Sequence, residues 1–217
     1  MTETSNGERG QVNAGPIAAA FPGRYTAEVP DDFVVFVIGM RLNRPWKVRK
    51  WFPIFSAMPR MLRWLAQHPQ AGLLHWQGAW IGGPAVVQYW RGFADLERFA
   101  RAPEQPHLPA WKWFNHAVGA SGDVGIWHET FRVRAGEYEC VYANMPRFGL
   151  AAAGVHAPIG STGQSAARRI GAADVDEPAL APYANPSGST SGQLNGRTRR
   201  RPKAPHVSRD VSGDLRR

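Results

Sequence analysis

Cysteine is almost absent from this sequence: 217 residues contain one, Cys140. No intramolecular disulfide can form, and a single thiol suits a reducing compartment. No apolar run approaches the roughly 18 residues that a membrane-spanning helix needs, so no membrane partner is expected. The opening residues, MTETSNGERG, hold no apolar stretch of the secretory kind, and the expected location is the cytoplasm. Aromatic residues are missing from the end of the chain. From Gly160 onward the only one is Tyr183, in a segment of Gly, Ala, Ser, Pro and Arg. So little apolar surface cannot offset the entropy of ordering. The first 19 residues are likewise small or polar. One folded domain is therefore expected over residues 20–157, between a short disordered arm, 1–19, and a disordered basic tail, 158–217. A domain of that length can bury a sizeable core.

Charge divides along the same lines. The formal net charge is +9. The arm carries −1, residues 160–217 carry +5, and the folded part carries the remaining +5. The run RTRRRPK at 197–203 allows at most weak, sequence-independent contact with nucleic acid, and a solvated tail is the commoner meaning of such a run. No phosphate-binding loop, dinucleotide-binding glycine pattern, zinc-type cysteine set or Gly-x-Ser-x-Gly elbow occurs, so no metal site is expected.

What the sequence does contain is a series of strongly patterned segments. FVVFVIGMRL, residues 33–42, is an almost unbroken β-branched and aromatic run, as in a strand buried on both faces. In RKWFPIFSAMPRMLRWLAQHP, Trp51, Phe55, Met58, Leu62 and Leu65 recur at helical spacing, with Pro59 expected to kink or split the helix. GLLHWQGAWIGG and AVVQYWRG read as a hairpin around Gly-Gly-Pro. FADLERFARAP and HLPAWKWFNHAVGAS read as helices. GIWHETF reads as a central strand of the sheet and EYECVYANM as the last strand. The order is β-α-β-β-α-(α)-β-β, and without the additions it is the β-α-β-β-α-β plan of the ferredoxin-like fold. The expected class is α+β, an antiparallel sheet with helices on one face. The second face is also apolar in 33–40, and Tyr89 and Trp90 are large on opposite faces. A second copy is the simplest cover, so a homodimer with packed sheets is expected.

The chemistry-bearing residues gather on few segments. GIWHETF is not a zinc-protease helix, because position i+4 from His128 is Arg132 rather than His. As a strand it puts Glu129 with Trp127 and Phe131 on one face and His128 on the other. On helix 107–118, His107, Trp111, Phe114, Asn115 and Val118 share about a third of the wheel. Packed over the sheet, they would line an apolar pocket with few polar groups, which Glu129 and Tyr89 would approach from the sheet. Arg91 would meet an anionic group or pair with Glu129, the structural ion pair being the commoner case. Cys140 lacks a cationic neighbour in its strand and reads as inert packing.

Five stretches, FVIGMRLNRPWKVRKWFPIFSAMPRML, GLLHWQGAW, VVQYWRGFADLERFAR, HLPAWKWFNHAVG and VGIWHETFRVRAGEYECVYANMPRFGLA, resemble the monooxygenase-like domain family named after a fumagillin-pathway enzyme, a relative of the antibiotic-biosynthesis monooxygenases. The resemblance runs from about Phe33 to Ala152. It implies a ferredoxin-like dimeric α+β barrel. It also implies oxygen chemistry on an apolar or polyketide-like substrate, chemistry that can proceed without flavin, haem or metal. Such enzymes use His, Trp and Asn in the cleft, which His107, Trp111, Asn115 and His128 would supply. The leading expectation is a small oxygenase in which Trp111 and Phe114 hold the apolar body and His107, Asn115 and Glu129 position or deprotonate an enol-like group. The alternatives are a haem-binding relative, with His107 or His128 as axial ligand, and a non-catalytic ligand-binding dimer.

Overall fold

The computed structural model describes residues 19–104, 106–160, 165–171 and 185. The arm before Ala19 and most of the tail after Gly160, and hence the expectations of disorder there, lie outside the described residues. At the centre is β2, Phe33–Leu42, the apolar run expected to be a strand buried on both sides. It pairs antiparallel with β4, Pro84–Trp90, on one edge and with β5, Val124–Val133, on the other. β3, Leu73–Trp80, forms a hairpin with β4, so the sheet order is β3-β4-β2-β5. Helix α1, Val48–Gln67, joins β2 to β3. Helices α2, Phe93–Arg101, and α3, His107–Ala117, join β4 to β5. This is the β-α-β-β-α-β plan in antiparallel form, with two helices in the second helical position.

Helix α1 holds both Pro53 and Pro59 and still runs unbroken for 20 residues, so the expected split at Pro59 does not occur. Pro59 removes one backbone bond, to the carbonyl of Phe55, and both residues lie on the exposed side of the helix. The loss of that one bond does not break the helix. Its buried side holds Ala57, Met61, Leu62 and Leu65. Of these, Ala57, Met61 and Leu65 pack with Val34 and Trp90 of the sheet and with Leu96 and Phe99 of α2.

The far face of the sheet is covered in part by the chain itself. Strand β1, Phe21–Glu28, lies between β6, Tyr142–Met145, and β7, Val155–Pro158, in a second, three-stranded antiparallel sheet. The short helix α4, Leu150–Ala153, links β6 to β7. Ala27, Phe33, Leu150 and Ala151 form a core here, with Val35, Tyr89, Val133, Tyr138 and Tyr142 around it. The chain therefore supplies part of the cover that the sequence reading assigned to a partner. Neither β1 nor β7 was expected. The strand expected over 137–145 is shorter and pairs with β1, about 120 residues away. Elsewhere on this face Trp127 lies against Gly39, where a side-chain carbon would sit 2.7 Å from the indole ring. Glycine is required there by that close approach.

Two buried carboxylates tie loops to elements. Asp123 pairs with Arg44 at 2.7 Å and Lys47 at 3.0 Å. Lys47, then Arg44, holds its carboxyl below the usual range against the opposing effect of burial. Asp95 pairs with Arg91 at 2.9 Å and Arg98 at 2.7 Å. Burial raises its carboxyl, but the two guanidinium groups outweigh that and lower it.

Candidate functional site: a cavity between the helices and the sheet

Between the helical layer and the sheet lies a cavity of about 1190 Å³. That is somewhat larger than the roughly 300–1,000 Å³ usual for small-molecule sites. The alternation of β2, β4 and β5 aims Phe36, Ile38, Val86, Gln88, Ile126, His128 and Thr130 into it. Most of the remaining wall is apolar and comes from α1, α2 and α3. Polar groups are few, as expected of a site that orients an apolar ligand.

His107, at the first position of α3, is the best defined of them. Its Nδ1 lies 3.0 Å from the carbonyl oxygen of Ala100. A carbonyl only accepts, so Nδ1 carries the proton and Nε2 keeps a free lone pair. Burial pushes its pKa below the ordinary 6.5; the Ala100 bond opposes this and the His128 imidazole adds to it. His107 is thus a neutral base at neutral pH, lining the same cavity as His128. His128 sits on β5, an edge strand of the sheet, exposed, with its ring 5.5 Å from Phe36.

Two donors that sequence reasoning missed complete the polar set. Trp76 of β3 lines the cavity, and its Nε1 is buried with no hydrogen-bond partner among the described residues. Gln88 is directly opposite on β4. Its Oε1 accepts from Trp90 Nε1 at 2.9 Å, while its Nε2 meets only the Met58 sulfur, at 3.8 Å. An indole N–H and an amide N–H without good acceptors are costly in an apolar wall unless something accepts from them. Gln88 had a legible signal, being the one amide in VVQYW at a core-facing parity. Trp76 had none, since its unmet N–H depends on neighbours distant in sequence.

Of the expected site residues, the structure brings His107, Trp111, Phe114 and His128 to the cavity. Trp111 stacks on Phe114, with centroids 5.4 Å apart and planes 18° apart. It separates the other four. Asn115 is exposed and outside the lining, because the inner side of α3 is centred between His107, Ala110 and Phe114, and Asn115 is turned about 100° from Phe114. Glu129 pairs with Val37 and points to the far face, where it is exposed rather than enclosed by Trp and Phe. Tyr89 also faces that side, in the core under the small sheet, and burial raises its pKa. Arg91 pairs with Asp95 instead of Glu129 and also donates to the Gln70 carbonyl at 3.2 Å. Among the described residues no group of three or more His, Cys, Asp and Glu side chains is placed to hold a metal ion, and no helix is long and apolar enough to cross a membrane.

Comparison with known proteins agrees with this architecture. The sequence profile of the family described as monooxygenase af470-like matches residues 33–150. Monooxygenase af470 of Aspergillus fumigatus is 30% identical over 151 residues, which are 59% of this chain and 53% of that protein. The chain thus spans about half the length of that relative. Among solved structures, an aldoxime dehydratase superposes with a TM-score of 0.51 at 22% identity, covering 68% of this chain and 45% of the other. An aldoxime dehydratase in complex with butyraldoxime gives a TM-score of 0.46 at 18% identity, covering 61% and 42%. The first of these likenesses speaks for the fold alone.

Proposed function

We propose a function from one premise: the chain belongs to the monooxygenase af470-like family. On this reading the cavity is an oxygenase site for an apolar, polyketide-like ketone that can enolise. The observation that carries it is the fixed tautomer of His107, which leaves Nε2 as a free base in an apolar wall. His107 Nε2 removes a proton from the CH2 group that is conjugated with the carbonyl. The Trp76 and Gln88 N–H groups, which lack good acceptors, receive the enolate oxygen. Trp111 and Phe114 hold the ring system. The anion then reacts with O2: a CH2 group becomes C=O, one oxygen atom enters the product and the other leaves as water. All four electrons come from the substrate, so the overall step needs no other reductant.

An anthrone is a suitable probe, since its CH2 becomes the second carbonyl of an anthraquinone. Wild-type protein under ¹⁸O2 is expected to form labelled quinone, with one O2 consumed per substrate, and His107→Gln to lower the rate about 10²-fold or more. The wild-type rate should fall as pH drops below 6.5 toward the lowered pKa of His107, where the base becomes protonated. Binding of the probe without any turnover would leave a non-catalytic ligand-binding protein.

A second reading, a haem site, is favoured by the same nitrogen, because an imidazole whose other nitrogen is held by a backbone carbonyl is arranged as a metal-ligating histidine is. The cavity residues fit the group: His107 would hold the iron, and Arg60 and Arg63 on the wall would meet the carboxylates. Haem would supply oxygen activation. A Soret band on adding hemin, lost in His107→Gln, would decide for it. The homodimer stays part of the proposal. It now rests on the part of the far face that carries the half-exposed Phe131 beside Glu129 and is tested by native mass.

A further inference from the structure

We propose that one end of this molecule, where β2 finishes, the β3–β4 hairpin turns and α1 begins, is a docking surface for an anionic lipid bilayer. The inference goes beyond the oxygenase reading and does not depend on it. That no described helix is long and apolar enough to cross a membrane says nothing against a surface contact.

Three observations meet at this end. The first is exposure. Trp46 is 72% exposed and Trp80 78%, with Phe52, Val48 and Ile81 each about half exposed. Single exposed apolar residues are ordinary, but two almost bare tryptophans among three further large apolar side chains are not. The second is charge. From Phe33 to Ala94 the sequence has no acidic residue, and Arg41, Arg44, Lys47, Arg49 and Lys50 fall in ten positions of it. Asp123 neutralises part of this by pairing with Arg44 and Lys47. Lys50 donates to the Ala117 carbonyl. Arg41 and Arg49 are exposed and make no ion pair among the described residues.

The third is position. The hairpin turn sits against the end of β2, so closely that a side-chain carbon on Gly83 would lie 2.1 Å from the Met40 carbonyl oxygen. Trp80 is the last residue of β3, opposite Pro84. Trp46 lies in the turn that leads from β2 into α1. The two indoles thus sit on separate turns at one end of the sheet. Pro84 of the hairpin and Pro53 and Phe55 of α1 line the cavity, so the exposed patch borders its wall.

An amphipathic indole is at home in the headgroup region of a bilayer, where its ring is buried and its N–H stays wet. Lys and Arg beside it add attraction to anionic headgroups. No carboxylate from residues 33–94 adds repulsion, and Asp123, which reaches this end, is buried against Arg44 and Lys47. A bilayer is also where an apolar ligand for the adjoining cavity would be dissolved.

The test is co-sedimentation of the full chain with phosphatidylcholine vesicles, with and without phosphatidylserine, at low and high salt. Binding is expected only with phosphatidylserine and should weaken with salt. The double variant Trp46→Ser, Trp80→Ser should bind about tenfold more weakly or less with an unchanged thermal midpoint. Arg41→Gln with Arg49→Gln should lower the dependence on phosphatidylserine. Arg199→Gln, Arg200→Gln, Arg201→Gln, in the basic run near the end of the chain, should bind as the wild type does. Failure to bind either vesicle overturns the proposal. So does a tryptophan double variant that binds normally, or loss of binding in the triple variant alone. A dimer that the tryptophan changes convert to monomers, with no vesicle binding, would make the patch an interface between copies.

Discussion

The two faces of the four-stranded sheet solve the same problem differently. Both are apolar along β2, and both must be covered. The helix face is covered by three helices that leave a cavity of about 1190 Å³. The far face is covered in part by the small sheet and α4 of the same chain, which pack Ala27, Leu150 and Ala151 against Phe33 and Val35. Helices meet a sheet along ridges and can be held apart by large side chains. A small sheet lies flat on another, with side chains interdigitated. The face that can take a ligand is therefore the one built with helices.

Unmet polar groups occur on both sides, since on the far one Gln77 Oε1 and His156 Nε2 are buried with no hydrogen-bond partner among the described residues. On the cavity side His107 has a free nitrogen and Trp76 a free N–H. On the far side Tyr89, Tyr138 and Tyr142 converge near Cys140, Val29 and Gly149. Tyr138 Oη lies 2.6 Å from the Val29 amide nitrogen. A side-chain carbon on Gly149 would lie 3.2 Å from the hydroxyls of both Tyr89 and Tyr142. Burial, with Cys140 beside it, pushes the Tyr142 hydroxyl well above its ordinary 10.0. These phenols stay neutral and behave as core.

The comparison is best broken at the core. Trp90 is fully buried on the helix face, and Trp90→Ala is expected to cost about 3–5 kcal/mol in denaturant unfolding. Leu150→Ala, the far-face counterpart, should cost about 2–5 kcal/mol in the same cooperative transition. Two separate transitions would show that the small sheet is a distinct unit and not part of the core.

A smaller effect concerns protons. His107 on the cavity side and His75 and His156 on the far side all have pKa values lowered mainly by burial. Each binds its proton more readily in the unfolded chain. The stability they contribute is present above the unfolded value near 6.5 and is lost as pH falls through the lower folded values. The thermal midpoint should therefore drop by about a few degrees between pH 8 and pH 5. A midpoint that rises over this interval would contradict their burial as neutral groups.

The smallest expected effect sharpens the contrast most. Glu129 is exposed and faces away from the cavity, so Glu129→Gln should leave probe turnover within about twofold and stability within about 0.5 kcal/mol. Loss of turnover comparable to that of His107→Gln would mean that the far face takes part in the reaction.

Much of this was legible in the chain. The run FVVFVIGMRL marked a strand buried on both faces because nothing polar interrupts it before Arg41. The parity of GIWHETF correctly opposed His128 to Glu129. The heptad-like spacing of α3 placed His107, Trp111 and Phe114 together. Asn115 was misplaced because a helical wheel gives relative angles, while the direction in which the helix faces is set by its contacts with α1 and α2. β1 escaped notice because Phe-Pro-Gly reads locally as a turn, and its partners lie more than 100 residues away.

By itself, then, the sequence determined the order of elements, the apolar character of both sheet faces and the residue types available for chemistry, since these follow from periodicity and composition over short spans. Which face became a cavity, which histidine kept a free nitrogen and which carboxylate was left outside were decided only by tertiary structure. Each depends on the side that a helix or strand presents to partners far away in the chain, and no local pattern encodes that side.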